Sequence, residues 1–128
     1  MKSYRKGQSR MGNAERRAFE YAVIMDQIER RREEFMQRLS RHVERRGDCM
    51  CYLGTVDHKG YARLSFRYQG LHVSIHAHRV FLIIKTRAPI PLGYEAGHTH
   101  ECQRRTCVKH VRLEHYRINA ITNVKGAA

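Results

Sequence analysis

The segment GHTHECQRRTCVKH, residues 97–110, concentrates side chains that can bind a metal or transfer a proton. It holds three histidines and two cysteines, which are His98, His100, Cys102, Cys107 and His110. Thiolates and imidazoles are ligands that Zn²⁺ prefers, and a neutral imidazole can also accept a proton near neutral pH. The segment therefore predicts metal binding, catalysis or both.

A zinc site is the first interpretation of the cysteines. Cys102, Cys107 and His110 lie close enough along the chain to share one tetrahedral ion, and the fourth ligand must come from elsewhere. Cys49 or Cys51 can supply it, with Cys49 preferred, and the ion would then tie the first hairpin to the C-terminal loop. The alternative is a pair of metal-free thiols beside surface histidines. This alternative is less favoured, because a histidine also lies at ligand spacing from the cysteines.

The composition indicates the size of the core, the kind of partner and the cellular compartment to expect. The chain has 128 residues, of which 41% are hydrophobic and none is Trp, so its core is small and a metal staple would help it fold. Lys and Arg number 25 against 12 acids, a formal net charge of +13, which favours a polyanionic partner. Neither a signal peptide nor an apolar run of membrane-spanning length is present, so we expect an intracellular, cytoplasmic protein with reduced thiols and no membrane partner.

The first part of the chain predicts one long helix. Residues 1–46 carry thirteen Lys and Arg and seven acids, Asn13 is a suitable N-cap, and Gly47 is a suitable end. An apolar stripe recurs at three- and four-residue steps, through Tyr21, Met25, Ile28, Phe35 and Leu39. Packing of this stripe on the remainder of the domain, or on the same helix in a homodimer, is favoured over a helix that reads DNA.

From residue 48 the pattern changes to short strands and turns. CYLGTV, YARLSFRY and LHVSIH predict strands, AHRVFLIIKTR a short helix, and YEAGH and VRLEHY two further strands. NAITNVK predicts a closing helix. The expectation is an α+β fold, with a basic helical extension over 1–47 and a small antiparallel domain over 48–128.

These motifs, in this order, resemble the HNH endonucleases of the His-Me finger superfamily, and especially the phage-type members with a zinc-binding loop. The resemblance covers about residues 49–124 and is carried by CMCYLG, GYARLSFRYQG, AHRV, PIPLGYEAGH, the two cysteines with CV, and LE. It implies a zinc-stapled ββα-metal fold. It also implies hydrolysis of DNA phosphodiester bonds, with RNA left open as a substrate, using Mg²⁺ or Mn²⁺.

The resemblance implies a general base at the end of the YEAGH strand. Counting from PIPLG places His98 there, whereas counting back from the cysteines overlays THEC on the family's DHLC and selects His100. We prefer His98, because the upstream register has more anchors. In either register the metal-binding Asp of many members is missing: Gly97 precedes His98, and Thr99 precedes His100.

Further roles follow from the same resemblance. On the closing helix, Asn123 matches the residue that holds the catalytic ion, with Asn119 as the second choice. Arg112 occupies the family's usual zinc histidine, so His110 is preferred as the ligand, ahead of His115.

Contacts to the nucleic acid are expected from four arginines, and His78 of AHRV is expected to be a hydrogen-bonded packing residue. The four are Arg63, Arg79, Arg104 and Arg105. For Arg63, bidentate contact with the scissile phosphate and a solvent-facing strand position are equally open.

Two rival functions stay open. One is a degenerate HNH-fold zinc protein that only binds nucleic acid or a host protein, as the missing Asp suggests. The other is a non-enzymatic zinc protein that assembles through its N-terminal helix.

Overall fold

A computed structural model of the chain describes residues 13–99, 102 and 104–115. The fold is α+β: one long N-terminal helix is followed by small antiparallel sheets and a second, short helix. The elements in chain order are α1 (Asn13–Arg41), β1 (Val43–Arg46), β2 (Cys49–Tyr52), β3 (Thr55–Val56), β4 (Ala62–Tyr68), β5 (Leu71–His76), α2 (Ala77–Thr86), β6 (Tyr94–His98) and β7 (Val111–His115).

The described part of helix α1 begins at Asn13, the predicted N-cap, and the residues before it lie outside the described part of the chain; the prediction that the helix continues to Gly47 is wrong. It ends at Arg41, and Val43–Arg46 forms β1, which pairs antiparallel with β2. Gly47 has φ +58°, a left-handed conformation that glycine adopts without strain, and with Asp48 it forms the two-residue hairpin turn. The charged segment Val43–Arg46, which was expected to be the last turn of the helix, is therefore one strand of a hairpin.

The apolar stripe of α1 packs on the core of its own chain. Ile28, Phe35 and Leu39 are buried in one cluster with residues of β4, β5 and α2, and Tyr21 and Met25 pack at its edge. The helical extension and the following domain thus share a single hydrophobic core.

An ion pair reinforces the junction of α1 with α2. Arg79 donates two hydrogen bonds from its guanidinium to the carboxylate of Glu20, and both side chains are largely buried. Because an unpaired buried charge is costly, separating the two side chains would be unfavourable, and the pair favours this contact of α1 with α2.

The central sheet has the order β3-β4-β5, and β5 is paired with β4 over the whole of β5, from Arg63 opposite His76 to Tyr68 opposite Leu71. The predicted CYLGTV strand is divided at Gly54, where the chain passes so close to β4 that an added Cβ would lie 2.6 Å from the carbonyl oxygen of Arg63.

The short helix and the last two strands agree with the sequence expectation. Helix α2 ends ahead of the prolines, and β6 and β7 form an antiparallel hairpin in which His98 lies opposite Val111. Within the described residues, neither helix combines the length and apolar character needed to cross a bilayer.

Candidate functional site

Four side chains that are distant in sequence converge beside the β1–β2 hairpin: Cys49, Cys102, Cys107 and His110. Cys49 begins β2, and the other three lie on the loop between β6 and β7. An antiparallel bridge between Cys51 and Cys107, with hydrogen bonds that join the loop backbone to β2, holds the loop against the strand. These are the four residues that were predicted from the sequence to be the zinc ligands.

The spacing of the donor atoms fits a tetrahedral ion. All four lie within 4.8 Å of one another, and the Sγ atoms of Cys49 and Cys102 are 3.8 Å apart. The Nδ1 of His110 lies 3.6 Å from Cys49 Sγ and 3.5 Å from Cys107 Sγ. A tetrahedron with the usual Zn–S and Zn–N bond lengths has edges of about 3.8 Å between sulfurs and about 3.6 Å between sulfur and nitrogen. The cluster is therefore compatible with a structural metal site, and its cysteines are free thiols.

The local backbone favours a thiolate at one ligand. Burial acts to raise the pKa of the Cys107 thiol, but backbone N–H groups of His110, Lys109 and Met50 outweigh it and lower that pKa to about 7. Burial raises the pKa of Cys102 to about 12. N–H groups directed at a ligating sulfur are typical of the outer shell of metal sites.

Asp48 completes the surroundings of His110. Its carboxylate lies 3.5 Å from Nε2 of His110, the nitrogen that faces away from the cysteines, and 3.3 Å from Nζ of Lys109. A carboxylate behind a ligating imidazole fixes its orientation and raises its basicity. Sequence reasoning missed Asp48, although its place in the hairpin turn next to Cys49 is a signal for it.

His98, the preferred candidate base, is the last residue of β6 and lies against the cysteine cluster. Its Nε2–H donates to the carbonyl oxygen of Cys107 over 2.8 Å, which leaves the Nδ1 lone pair without a partner in the described part of the chain. Burial lowers the pKa of His98, so its imidazole is neutral at pH 7. A neutral ring with one nitrogen held and the other available has the form that a general base requires.

A row of aromatic and imidazole rings extends from His98. The ring of His78 lies 5.2 Å from that of His98 and 5.3 Å from that of His76, and Tyr61 contacts all three. Asp57 accepts the Nε2–H of His76 over 2.9 Å, and the guanidinium of Arg63 lies 3.0 Å from the same nitrogen. Because an ionised carboxylate is the stronger acceptor, we assign the Nε2 proton of His76 to Asp57.

His78 departs from its prediction. It is packed as expected, with 9% of its surface exposed, but its Nδ1 has no hydrogen-bond partner among the described residues. Burial, together with the neighbouring His98 and His76, lowers the pKa of His78 to about 3.

The four candidate nucleic-acid arginines have different surroundings. Arg63 is half-buried and donates to the side chain and carbonyl of Ser74, and Arg79 is engaged by Glu20. Arg104 is exposed and donates to the carbonyl of Arg46. Arg105 donates to the carbonyl of Lys59 and lies over the Tyr61 ring, 5.3 Å from its centroid. Arg63 and Arg105 thus flank the histidine row, whereas contact with a nucleic acid through Arg79 would require its ion pair to open.

Three predicted site residues lie outside the described part of the chain: His100, Asn119 and Asn123. Conversely, sequence reasoning did not assign Asp57, Tyr61 or His76 to the site. Asp57 was part of a turn signal, and only the pairing of β3, β4 and β5 brings it to His76.

Comparisons of the chain with models of protein families, with curated proteins and with solved structures found no match.

Proposed function

We propose that this protein is a metal-dependent endonuclease of the HNH type, in which His98 is the general base and Zn²⁺ is held by Cys49, Cys102, Cys107 and His110. The observation that carries the proposal is the position of His98. Its Nε2–H is fixed by the carbonyl of Cys107, a member of the cysteine cluster, and its Nδ1 is left to accept a proton. A metal that stabilises the loop would therefore also orient the base.

Zn²⁺ is the proposed structural ion because three thiols and one imidazole at tetrahedral spacing form a soft ligand set, and all four positions are supplied by the protein. A closed set of four protein ligands is typical of structural zinc and leaves no position for a reacting water. Catalysis is accordingly assigned to His98 and not to the zinc.

In the proposed reaction, His98 accepts the proton of a water molecule that attacks the phosphorus of a DNA backbone. We assign contact with the phosphate oxygens to Arg105, which lies over the Tyr61 ring, and to Arg63, whose guanidinium lies beside His76. The Mg²⁺ or Mn²⁺ implied by the resemblance would be held by Asn123, or by Asn119, and would neutralise charge on the phosphate and on the leaving 3′ oxygen.

One observation favours a second candidate, an HNH-like zinc protein that binds nucleic acid or a host protein without cutting. The residue before His98, where the resemblance expects an Asp, is Gly97, and its partner across the β6–β7 hairpin is Arg112. A cation opposite that position does not replace a missing carboxylate ligand.

The two candidates are separated by incubating the purified protein with supercoiled plasmid and Mg²⁺ or Mn²⁺. The endonuclease should relax or linearise the plasmid, and His98→Ala should abolish this while it keeps zinc and DNA binding. His100→Ala is the matched control and should have a mild effect. A parent protein that leaves several DNA substrates intact with either ion, while it binds them, favours the second candidate.

A further inference from the structure

A basic groove lies between the second half of α1 and strand β4, and it shares no residue with the cysteine cluster. Its volume is about 590 Å³, and its walls include four arginines, which are Arg31, Arg38, Arg41 and Arg67. Glu34 is the one acidic residue among the lining residues, and Phe66 contributes to the wall from β4. The helix is kinked at Arg31, whose backbone leaves the helical region, so the groove begins where α1 changes direction.

The groove keeps a net positive charge, because four arginines face one carboxylate, that of Glu34. Within the described residues no carboxylate forms an ion pair with any of the four arginines. Two of them are held by backbone carbonyls instead, since Arg38 donates to Ser65 and Arg67 donates to Gly70. His42 donates from Nδ1 to the carbonyl of Arg38 over 2.8 Å. Clustered cations repel one another, and an anion in the groove would relieve that repulsion.

Strand β4 links the groove to the histidine row. Arg63, Ser65 and Arg67 alternate along β4 and therefore share one face, opposite His76, Ser74 and His72 of β5. Arg63 stands at the end of this face nearest His76, and Arg67 stands at its other end. Arg67 also lines the groove, whose Phe66 lies on the opposite face of β4 against Phe35, so the polar face and the groove meet at Arg67. At about 3.3 Å per residue, the four steps from Arg63 to Arg67 cover about 13 Å, close to the length of four nucleotides of a duplex strand at about 3.4 Å each.

We propose that this groove binds the phosphate backbone of a nucleic acid at a second position, with the strand lying along β4 from the groove toward His98. The direction toward His98 rests on the proposed function, whereas binding in the groove does not. Charge selects the occupant: a second copy of the chain carries a net charge of +13 and would be repelled, and residues 1–12 contain four Lys and Arg and no acid. A polyanion with regularly spaced charges fits both the groove and the polar face of β4.

The test compares two double variants in a His98→Ala background, so that binding is measured without cleavage and without a chelator. Arg41→Ala with Arg67→Ala removes two exposed groove arginines, and Arg16→Ala with Arg32→Ala removes two exposed α1 arginines that do not line the groove. Affinity for a labelled DNA duplex is measured by fluorescence anisotropy over a range of salt concentrations. The groove variant should lower the slope of log K against log salt by about 1.8, since each lost phosphate contact contributes about 0.9. The matched control should leave the slope unchanged.

A third variant, Arg41→Lys with Arg67→Lys, keeps the charge and should keep the slope, which separates lost contacts from altered folding. Equal losses in the groove variant and the control, or no loss in the groove variant, would overturn the proposal. So would groove-dependent binding to phosphatidylserine vesicles in the absence of DNA binding.

The outcome is independent of the nuclease assay. If the groove variant binds DNA normally and the parent nicks plasmid through His98, the groove proposal alone is refuted. If the groove variant loses DNA binding and the parent shows no His98-dependent cleavage, the endonuclease proposal is refuted and the groove remains a binding site.

Discussion

Loss of the proposed metal ion should destabilise the whole domain, because the ion would join segments that are far apart in sequence. Cys49 and Cys102 are separated by 53 residues. If the cross-link is treated as a loop closure, a loop of that length corresponds to roughly 14 cal/mol/K, or about 4 kcal/mol at room temperature. With an unfolding entropy of about 2.1 cal/mol/K per residue, a chain of this size should lose about 15 °C in melting temperature. We predict this loss for Cys102→Ser if the variant releases the ion completely.

Cys51→Ala is the matched control, because Cys51 is buried beside the cluster but is not one of its four converging residues. It should retain one zinc per chain and lose only a small packing contribution. The assays are metal analysis by mass spectrometry and thermal unfolding with and without a chelator. Chelation should lower the melting temperature of the parent toward that of Cys102→Ser and leave the variant unaffected. A Cys102→Ser protein with parental zinc content and melting temperature would refute the reasoning, as would loss of zinc from Cys51→Ala.

Three further predictions concern stability. Glu20→Ala leaves the Arg79 guanidinium largely buried without its carboxylate, so urea unfolding should show a loss of roughly 3–5 kcal/mol; a loss no larger than that of an exposed Glu→Ala variant would contradict the role of the pair. Because burial lowers the pKa of His78 from 6.5 to about 3, the unfolded chain binds a proton between these values that the folded chain does not. The free energy of unfolding should therefore fall as the pH falls below 6.5, and this group should contribute up to about 1.4 kcal/mol per pH unit. The measurement is unfolding at neutral and mildly acidic pH, in which the stability of His78→Phe should depend less on pH than that of the parent. Gly54→Ala places a methyl group 2.6 Å from the carbonyl oxygen of Arg63 and should cost roughly 1–3 kcal/mol in thermal unfolding, whereas Gly70→Ala tests positive φ alone, since nothing lies within 4 Å of its Cβ.

Local patterns were sufficient for most of the secondary structure. Alternation in residues 62–68 and 71–76, with the QG turn between them, predicted β4 and β5, and Pro89 and Pro91 marked the segment in which α2 cannot continue. The end of α1 was not predictable in this way, because residues 42–46 are mostly charged and contain no Gly or Pro that would end a helix. Their conformation is set by pairing with Cys49–Tyr52, a tertiary interaction that overrides local preference.

The candidate site shows the same division. Spacing alone grouped Cys102, Cys107 and His110, while the choice of Cys49 over Cys51 depends on how β2 meets the loop. The contact of His76 with Asp57 depends on the pairing of three strands, so no short sequence window contains it. Long-range strand pairing is the information that a motif search lacks.

The central claim, that His98 is the base, is tested most directly by chemical rescue. Plasmid nicking by His98→Ala is measured at increasing concentrations of added imidazole, with the parent and His100→Ala beside it and with zinc content checked in each sample. We predict that His98→Ala alone is inactive, and that imidazole restores part of its activity in proportion to concentration without changing the activity of the parent. A His98→Ala protein that nicks as fast as the parent without imidazole would contradict it.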